Sequence, residues 1–262
     1  MVIRLYFRQI YRGRYVLLSL VGQDLKSRYR NSLLGVAWNF LTPLGLVSII
    51  GFVYSIVFKT PLIEFIPYLF SGLLPWIFFT SSAEGGAISF LGSQGYIKQT
   101  QVPIEIFPLR VSLLNLFNFG ISIAAFFLIY VFLDPESFSI RMFMLVPATL
   151  IWFLFCSAWA TISAIINLYV RDFQPLQSLA VQGLFYFSPI IYKPEMLKEQ
   201  NFEWVYLYNP MYYLIEIVRN PLLGKGGIEL NTWLIAIGIT SLLVIIAITL
   251  ISVIGRKITF KL

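Results

Sequence analysis

An all-α integral membrane fold is what this sequence predicts, and three observations predict it. The 262 residues are 58% hydrophobic and only 12% charged, with a mean hydropathy of +0.81, whereas a soluble domain carries about a quarter of its residues as charges. The apolar residues come in long uncharged runs, the first covering residues 33–58. Basic residues gather at the edges of those runs, and Lys26, Arg28 and Arg30 lead without a linker into the first one. About 20 apolar residues in a helix cross ~30 Å of hydrocarbon, and only helices or closed barrels satisfy their own backbone there.

The chain is expected to form a single transmembrane domain over residues 1–262. Residues 1–32 are expected to be a cytoplasmic amphipathic interface region. Within it, residues 3–12 set Arg4, Arg8 and Arg12 four apart, with Ile3, Phe7 and Ile10 on another face. Residues 15–30 repeat the pattern: Leu18, Val21, Leu25 and Tyr29 on one face, Ser19, Gln23, Lys26 and Arg30 on the other. Two helices lying in the interface fit this, apolar side in lipid and cations among headgroups. A basic leader that only fixes topology fits residues 3–12 equally well. The stretch from Arg4 to Gly22 imitates a signal peptide, but its apolar part is short and no small-residue cleavage site follows. No cleavable signal is expected.

Six spans follow, at residues 33–58, 65–91 (polar beyond about residue 83), 109–133, 142–170, 173–192 and 231–255. Six crossings put both termini on one side, and charge says which. Thirteen of the 19 basic residues fall on the side of the termini and six on the other; cations collect on the cytoplasmic flank, so both termini are expected there. Two connections are more than turns. Residues 92–108 are short and polar, with Pro103 and Pro108 stopping helices. Residues 193–230 carry Trp204, Tyr206, Tyr208, Tyr212 and Tyr213 between breaks at Pro210 and Pro221, too apolar for a solvated loop. Two short helices re-entering the membrane from outside are expected, because bare loop backbone cannot face lipid.

The chemistry is defined first by what is missing. The chain has no Walker-type phosphate loop and no histidine, and its one cysteine, Cys156, sits in an apolar run. Nucleotide hydrolysis by this chain, a zinc set and a disulfide framework are excluded. No catalytic, cofactor-binding or metal-ligating residue is expected. Charge-free spans also argue against an ion-coupled carrier; Glu84 and Arg110 lie only near span ends. The net charge of +7 is concentrated at the termini beside apolar spans, which points to anionic headgroups or phosphate and not to nucleic acid. Lys26, Arg28 and Arg30 stand where a lipid-linked diphosphate would enter from the inner leaflet, and arginine's planar fork suits phosphate. Topology and membrane-lipid binding account for the same cations. Aromatic residues are abundant, at 24 Phe, 15 Tyr and 6 Trp. Most belong to helix packing and the interfacial belt. Sugar rings present C–H faces that stack on aromatic planes, so Trp38, Phe40 and Tyr54 in the first span and Phe185, Tyr186 and Phe187 in the fifth are candidates to line a glycan conduit.

Five blocks, spread over nearly the whole chain, carry a resemblance. They are DLKSRYRNSLLGVAWNFLTPL (24–44), YIKQTQVPIEIFPLRVSLL (96–114), RDFQPL (171–176), FYFSPIIY (185–192) and NPMYYLIEIVRNPLLG (209–224). In order and spacing they resemble the membrane subunit of ABC-2-type polysaccharide exporters, the group of O-antigen, capsule and teichoic-acid export permeases. Residues 99–101 depart from the pattern, with Gln99 and Gln101 where basic residues are more usual. The resemblance implies a homodimer working with two cytoplasmic ABC ATP-binding subunits, which would hold the ATP and Mg. It implies export of a lipid-linked polysaccharide, O-antigen foremost, across the bacterial inner membrane. It implies an interface helix at about residues 14–30. Ser93, Gln94, Gly95, Tyr96, Ile97, Lys98 and Gln99 become a coupling helix that docks on the ATPase. The external segment becomes a gate containing Pro189, Tyr192, Asn209, Pro210, Tyr212 and Arg219. An ABC-2 exporter of another cargo (capsule or teichoic-acid polymer, drug or lipid) fits the same fold. A membrane-embedded enzyme acting on lipid carriers would need catalytic groups near the inner face, where the chain offers only Glu84, Glu105 and Asp172. A purely structural scaffold would not need a gate-like segment.

Overall fold

The computed structural model describes residues 2–30, 35–135, 138–224 and 229–261. Every regular element among them is helical. In order they are α1 (Val2–Tyr29), α2 (Trp38–Phe58), α3 (Leu62–Gly92), α4 (Gln94–Gln99), α5 (Ile106–Leu133), α6 (Leu145–Tyr169), α7 (Phe173–Phe187), α8 (Pro194–Lys198), α9 (Trp204–Leu207), α10 (Pro210–Leu223) and α11 (Leu230–Lys261). Short 3-10 turns, Gly35–Ala37 and Ile140–Met144, lead into α2 and α6. Five helices are long and apolar enough to cross a membrane: Trp38–Phe58, Leu62–Gly92, Ile106–Leu133, Ile140–Tyr169 and Leu230–Gly255.

Helix α3 is the hub, touching α2, α5, α6, α7 and α10. Lipid tails are as apolar as leucine, so helices in a membrane associate through close packing and polar contacts. The α3–α6 contact shows this. A Cβ added to Gly86 would lie 2.5 Å from the Ala160 Cα, so the two backbones meet where neither residue has bulk. Around that contact Phe79, Phe155 and Trp152 fill the middle of the bundle, and Phe126 stacks on Tyr130 with ring centroids 5.1 Å apart.

Three expectations need correction or trimming. The N-terminal region is one continuous helix, not two. Gly13, inside that helix, is a point of close approach: a Cβ there would sit 2.8 Å from Ile106 Cγ2. Residues 193–230, where two re-entrant helices were expected, hold three helices among the described residues. Of these, α8 stays at the surface, α9 buries only Tyr206, and α10 alone enters the bundle against α3, α6 and α11. Finally, the fifth expected span is a 15-residue helix ended at Ser188, about 22 Å long against ~30 Å of hydrocarbon.

Candidate functional site

Polar groups gather at two places inside the apolar bundle. The first is a crevice of about 430 Å3 between α2, α3 and α5, walled by Trp38, Asn39, Thr42, Ser81, Asn118 and Ser122. Asn39 Nδ2 donates to Asn118 Oδ1 at 2.7 Å. Ser122 Oγ reaches the Asn39 and Asn118 carbonyls at 3.2 and 3.0 Å. Asn115 Nδ2 donates to Ser82 Oγ at 3.1 Å. These bonds tie the start of α2 to the middle of α5, and α5 to α3. Ser81 lies 19 residues from the Leu62 end of α3, about 28 Å of helix. A hydrocarbon layer of ~30 Å beginning at Leu62 therefore ends beside it.

A more open cavity of about 530 Å3 adjoins the crevice. It shares Arg28, Ser81 and Asn115, and adds Asp24, Glu84, Ser89, Arg110 and Gln174. Arg110 of α5 donates through Nε and Nη2 to both carboxylate oxygens of Asp24, clamping α1 to the bundle. Ser89 Oγ is buried there without a hydrogen-bond partner among the described residues. Of the three cations expected to meet a phosphate, the structure brings only Arg28 to this cavity; Lys26 and Arg30 are exposed and line neither space.

The second place is the bend between α7 and α8. Arg219 of α10 is 2% exposed. Its Nη1 donates to Glu216, its Nη2 donates to the Pro189 carbonyl at 2.8 Å, and its Cζ lies 4.2 Å over the Tyr68 ring. The Tyr68 hydroxyl is within 2.8 Å of the Tyr192 carbonyl and 3.2 Å of Pro189's. A side chain on Gly72 would fall on Arg219 Nη2, so the glycine makes room for the guanidinium. Asn209 caps α10, accepting from Met211 N at 2.9 Å, and its Nδ2 donates to Phe187 O and Ser188 Oγ at 3.2 and 2.9 Å. Pro210 opens α10, and Tyr212 packs between Tyr206 and Tyr213 at 5.0 and 5.2 Å. The bend is thus held by α3 on one side and α10 on the other.

The other expected residues are dispersed. Trp38 is 53% exposed at the crevice, whereas Tyr186 and Phe187 are 62% and 60% exposed beside the Tyr68 bend, at the opposite end of the bundle. Phe40 is half-buried, Tyr54 packs on Phe58 and Phe185 on Trp76. A single chain does not bring these six aromatics onto one surface. The expected coupling segment is helical as α4. Ser93 and Ile97 are buried, Ile97 in a cluster with Leu17, Phe90 and Phe107, while Gly95, Tyr96, Lys98 and Gln99 are exposed and Gln94 is half-buried. Beside α1, burial pushes the Glu105 carboxyl above its ordinary value, and burial together with Glu105 pushes Tyr6 up to about 12.

Sequence reading missed Tyr68, Gly72 and Glu216 at the bend, and Asn39, Asn115, Asn118 and Ser122 at the crevice. The asparagines did leave a signal, since polar side chains within membrane helices are costly unless paired across helices. Tyr68 and Gly72 left only a four-residue spacing.

A bundle of long apolar helices with a partly polar crevice among three of them describes a multi-pass membrane protein. Residues 15–223 match the family described as ABC-2 type transporter, and the chain belongs to that family. It is 31% identical over 210 residues to an O-antigen export system permease protein of Myxococcus xanthus, covering 79% of this chain and 80% of that one. It is 29% identical over 201 residues to a permease of the same description in Klebsiella pneumoniae, covering 76% and 77%. A polysialic acid transport protein of Escherichia coli is 23% identical over 218 residues, covering 80% and 83%.

Proposed function

We propose that this chain is the membrane permease of an ATP-driven exporter that moves a lipid-linked polysaccharide, O-antigen foremost, across a bacterial inner membrane. The observation carrying this reading is the similarity to O-antigen export permeases over about four-fifths of both chains. Two copies form the conduit, and two cytoplasmic ABC subunits bind ATP and Mg and drive it through α4. Binding of ATP closes those subunits; the motion enters through α4 and α1, and the conduit opens at the dimer axis. On this reading both termini are cytoplasmic and the chain crosses six times.

The sixth crossing is supported by what α7 touches. At one end Gln174 N donates to Asn167 Oδ1, whose Nδ2 donates to Ala87 O; at the other, residues 189 and 192 meet Tyr68. Between Ala87 and Tyr68 the chain advances 19 residues along α3, about 28 Å, so helix plus bend reach further along α3 than the helix alone does. Gate helices between the fifth and sixth crossings then correspond to α8–α10, with the Arg219 network fastening them shut.

Deleting the gene tests the cargo. Lipid-linked polysaccharide collecting on the cytoplasmic side, with surface glycan lost, is the expected result; unchanged surface glycan rejects it. A capsule-type polymer is the second reading, favoured by the polysialic acid transport relative, and the identity of the missing surface polymer separates the two.

A further inference from the structure

We infer that the crevice between α2, α3 and α5 seats one sugar ring of a glycosyl phosphate lipid inside a single subunit, with the phosphate on Arg28. The inference rests on the polysaccharide-export reading and adds where, and through which groups, the headgroup is held. Four observations carry it.

Depth comes first. Ser81, on the crevice wall, lies where a hydrocarbon layer starting at Leu62 runs out, and Asn115 lies 18 residues from the Leu133 end of α5, about 27 Å. Both helices therefore place the mouth of the crevice, where Ser81 and Asn115 are shared with the outer cavity, at one membrane boundary, the height at which a lipid carries its phosphate. From there the crevice runs inward along α3 to Leu74. Arg28 borders both the crevice and the adjoining cavity, and its planar fork can donate two parallel bonds to a phosphate.

The lining differs between the two spaces that Arg28 borders. Charged Asp24, Glu84 and Arg110 line the outer cavity and not the crevice, whose wall mixes neutral amides and hydroxyls from Asn39, Thr42, Asn118 and Ser122 with apolar Leu74, Ile77, Phe78 and Phe119; Ser81 and Asn115 border both. Amides and hydroxyls both donate and accept, as ring hydroxyls require.

Trp38 supplies the third observation. It lines the crevice with more than half its surface open, an aromatic plane beside hydrogen-bonding groups. Size is the fourth: about 430 Å3 falls within the ~300–1,000 Å3 of small-ligand sites. It holds a ring or two and not a polymer, so the site selects the end of the chain nearest the phosphate and leaves the rest to the conduit.

The test is equilibrium binding to the purified full-length protein in lipid nanodiscs. Three probes are compared: farnesyl diphosphate bearing one N-acetylglucosamine, farnesyl diphosphate alone, and phosphatidylglycerol as competitor. The sugar-bearing probe should bind about ten-fold tighter than the bare diphosphate, the worth of one or two well-made polar contacts. Asn118→Leu, and independently the milder Thr42→Val and Ser122→Ala, should shrink that preference without changing affinity for the bare diphosphate. Arg28→Gln should weaken both diphosphates together. Equal affinity for the two diphosphates, a preference untouched by all three crevice variants, or displacement by phosphatidylglycerol as effective as by the sugar-bearing probe would each overturn the site. Export of surface glycan, read in the gene deletion, is a separate measurement, so the site can fail while the export reading stands.

Discussion

Arg219 and Glu216 are three residues apart on α10; Arg219 is buried and the Glu216 side chain is only 12% exposed. Taking one charge from a buried pair leaves its partner uncompensated, at a cost of about 3–5 kcal/mol. Arg219→Met should therefore lower the unfolding temperature sharply, and adding Glu216→Gln should recover most of the loss; a double variant as unstable as the single one would show that Glu216 is not the partner that matters. Gly72→Ala attacks the same network from α3, since its methyl group falls on Arg219 Nη2. Overpacking of this kind costs about 1–3 kcal/mol, measurable as a fall in thermal stability of the detergent-solubilised protein. Glu105 works in the opposite sense. Its carboxyl is raised by burial, so the folded state favours the protonated form. That stability is fully present below the unfolded-state value and is lost as pH rises through the folded-state value. Glu105→Gln should accordingly be more stable than the parent at pH 7 to 8 and nearly equal to it near pH 4. A constant difference across that range would point elsewhere.

At the scale of elements, α4 separates holding from presenting. Ile97 is 5% exposed among Leu17, Phe90 and Phe107, while Tyr96 and Lys98 face outward. Ile97→Ala should cost about 2–4 kcal/mol through the cavity it leaves. Tyr96→Ala and Lys98→Ala should leave the unfolding temperature unchanged yet lower transport driven by the ATP-binding partner. If the surface variants destabilised the permease itself, α4 would be structural and not a contact. The close approaches explain Gly13 in α1 and Gly86 in α3, inside helices where a glycine costs about 1 kcal/mol relative to alanine: any larger residue would push Ile106 or Ala160 away.

For the whole molecule, the question is how many times the chain crosses. Single cysteines introduced into a Cys156→Ala background at Asp172→Cys and Asn201→Cys flank α7 and its bend. A membrane-impermeant maleimide should label them from opposite faces. Labelling of both from one face would mean that residues 173–192 turn back without crossing, leaving five spans and termini on opposite sides.

The membrane class, the positions of five long helices and the family were all legible in the sequence, because each depends on something local: run length, charge at run edges, or a block of residues read in order. Lys26, Arg28 and Arg30 were visible as a cluster for the same reason. What only the tertiary structure decided is which of them meets a cavity, since that depends on where the end of α1 falls against α3 and α5. The Arg219 network was hidden likewise. Tyr68, Gly72, Pro189 and Glu216 are unremarkable one by one, and residues 121 apart in sequence, such as Tyr68 and Pro189, share no local pattern. The continuity of α1 through Gly13 and the burial of α10 were decided by packing partners that the sequence does not place side by side. Hydrophobic length is a property of one segment; a polar site inside a bundle is a property of several, fixed only when the helices meet.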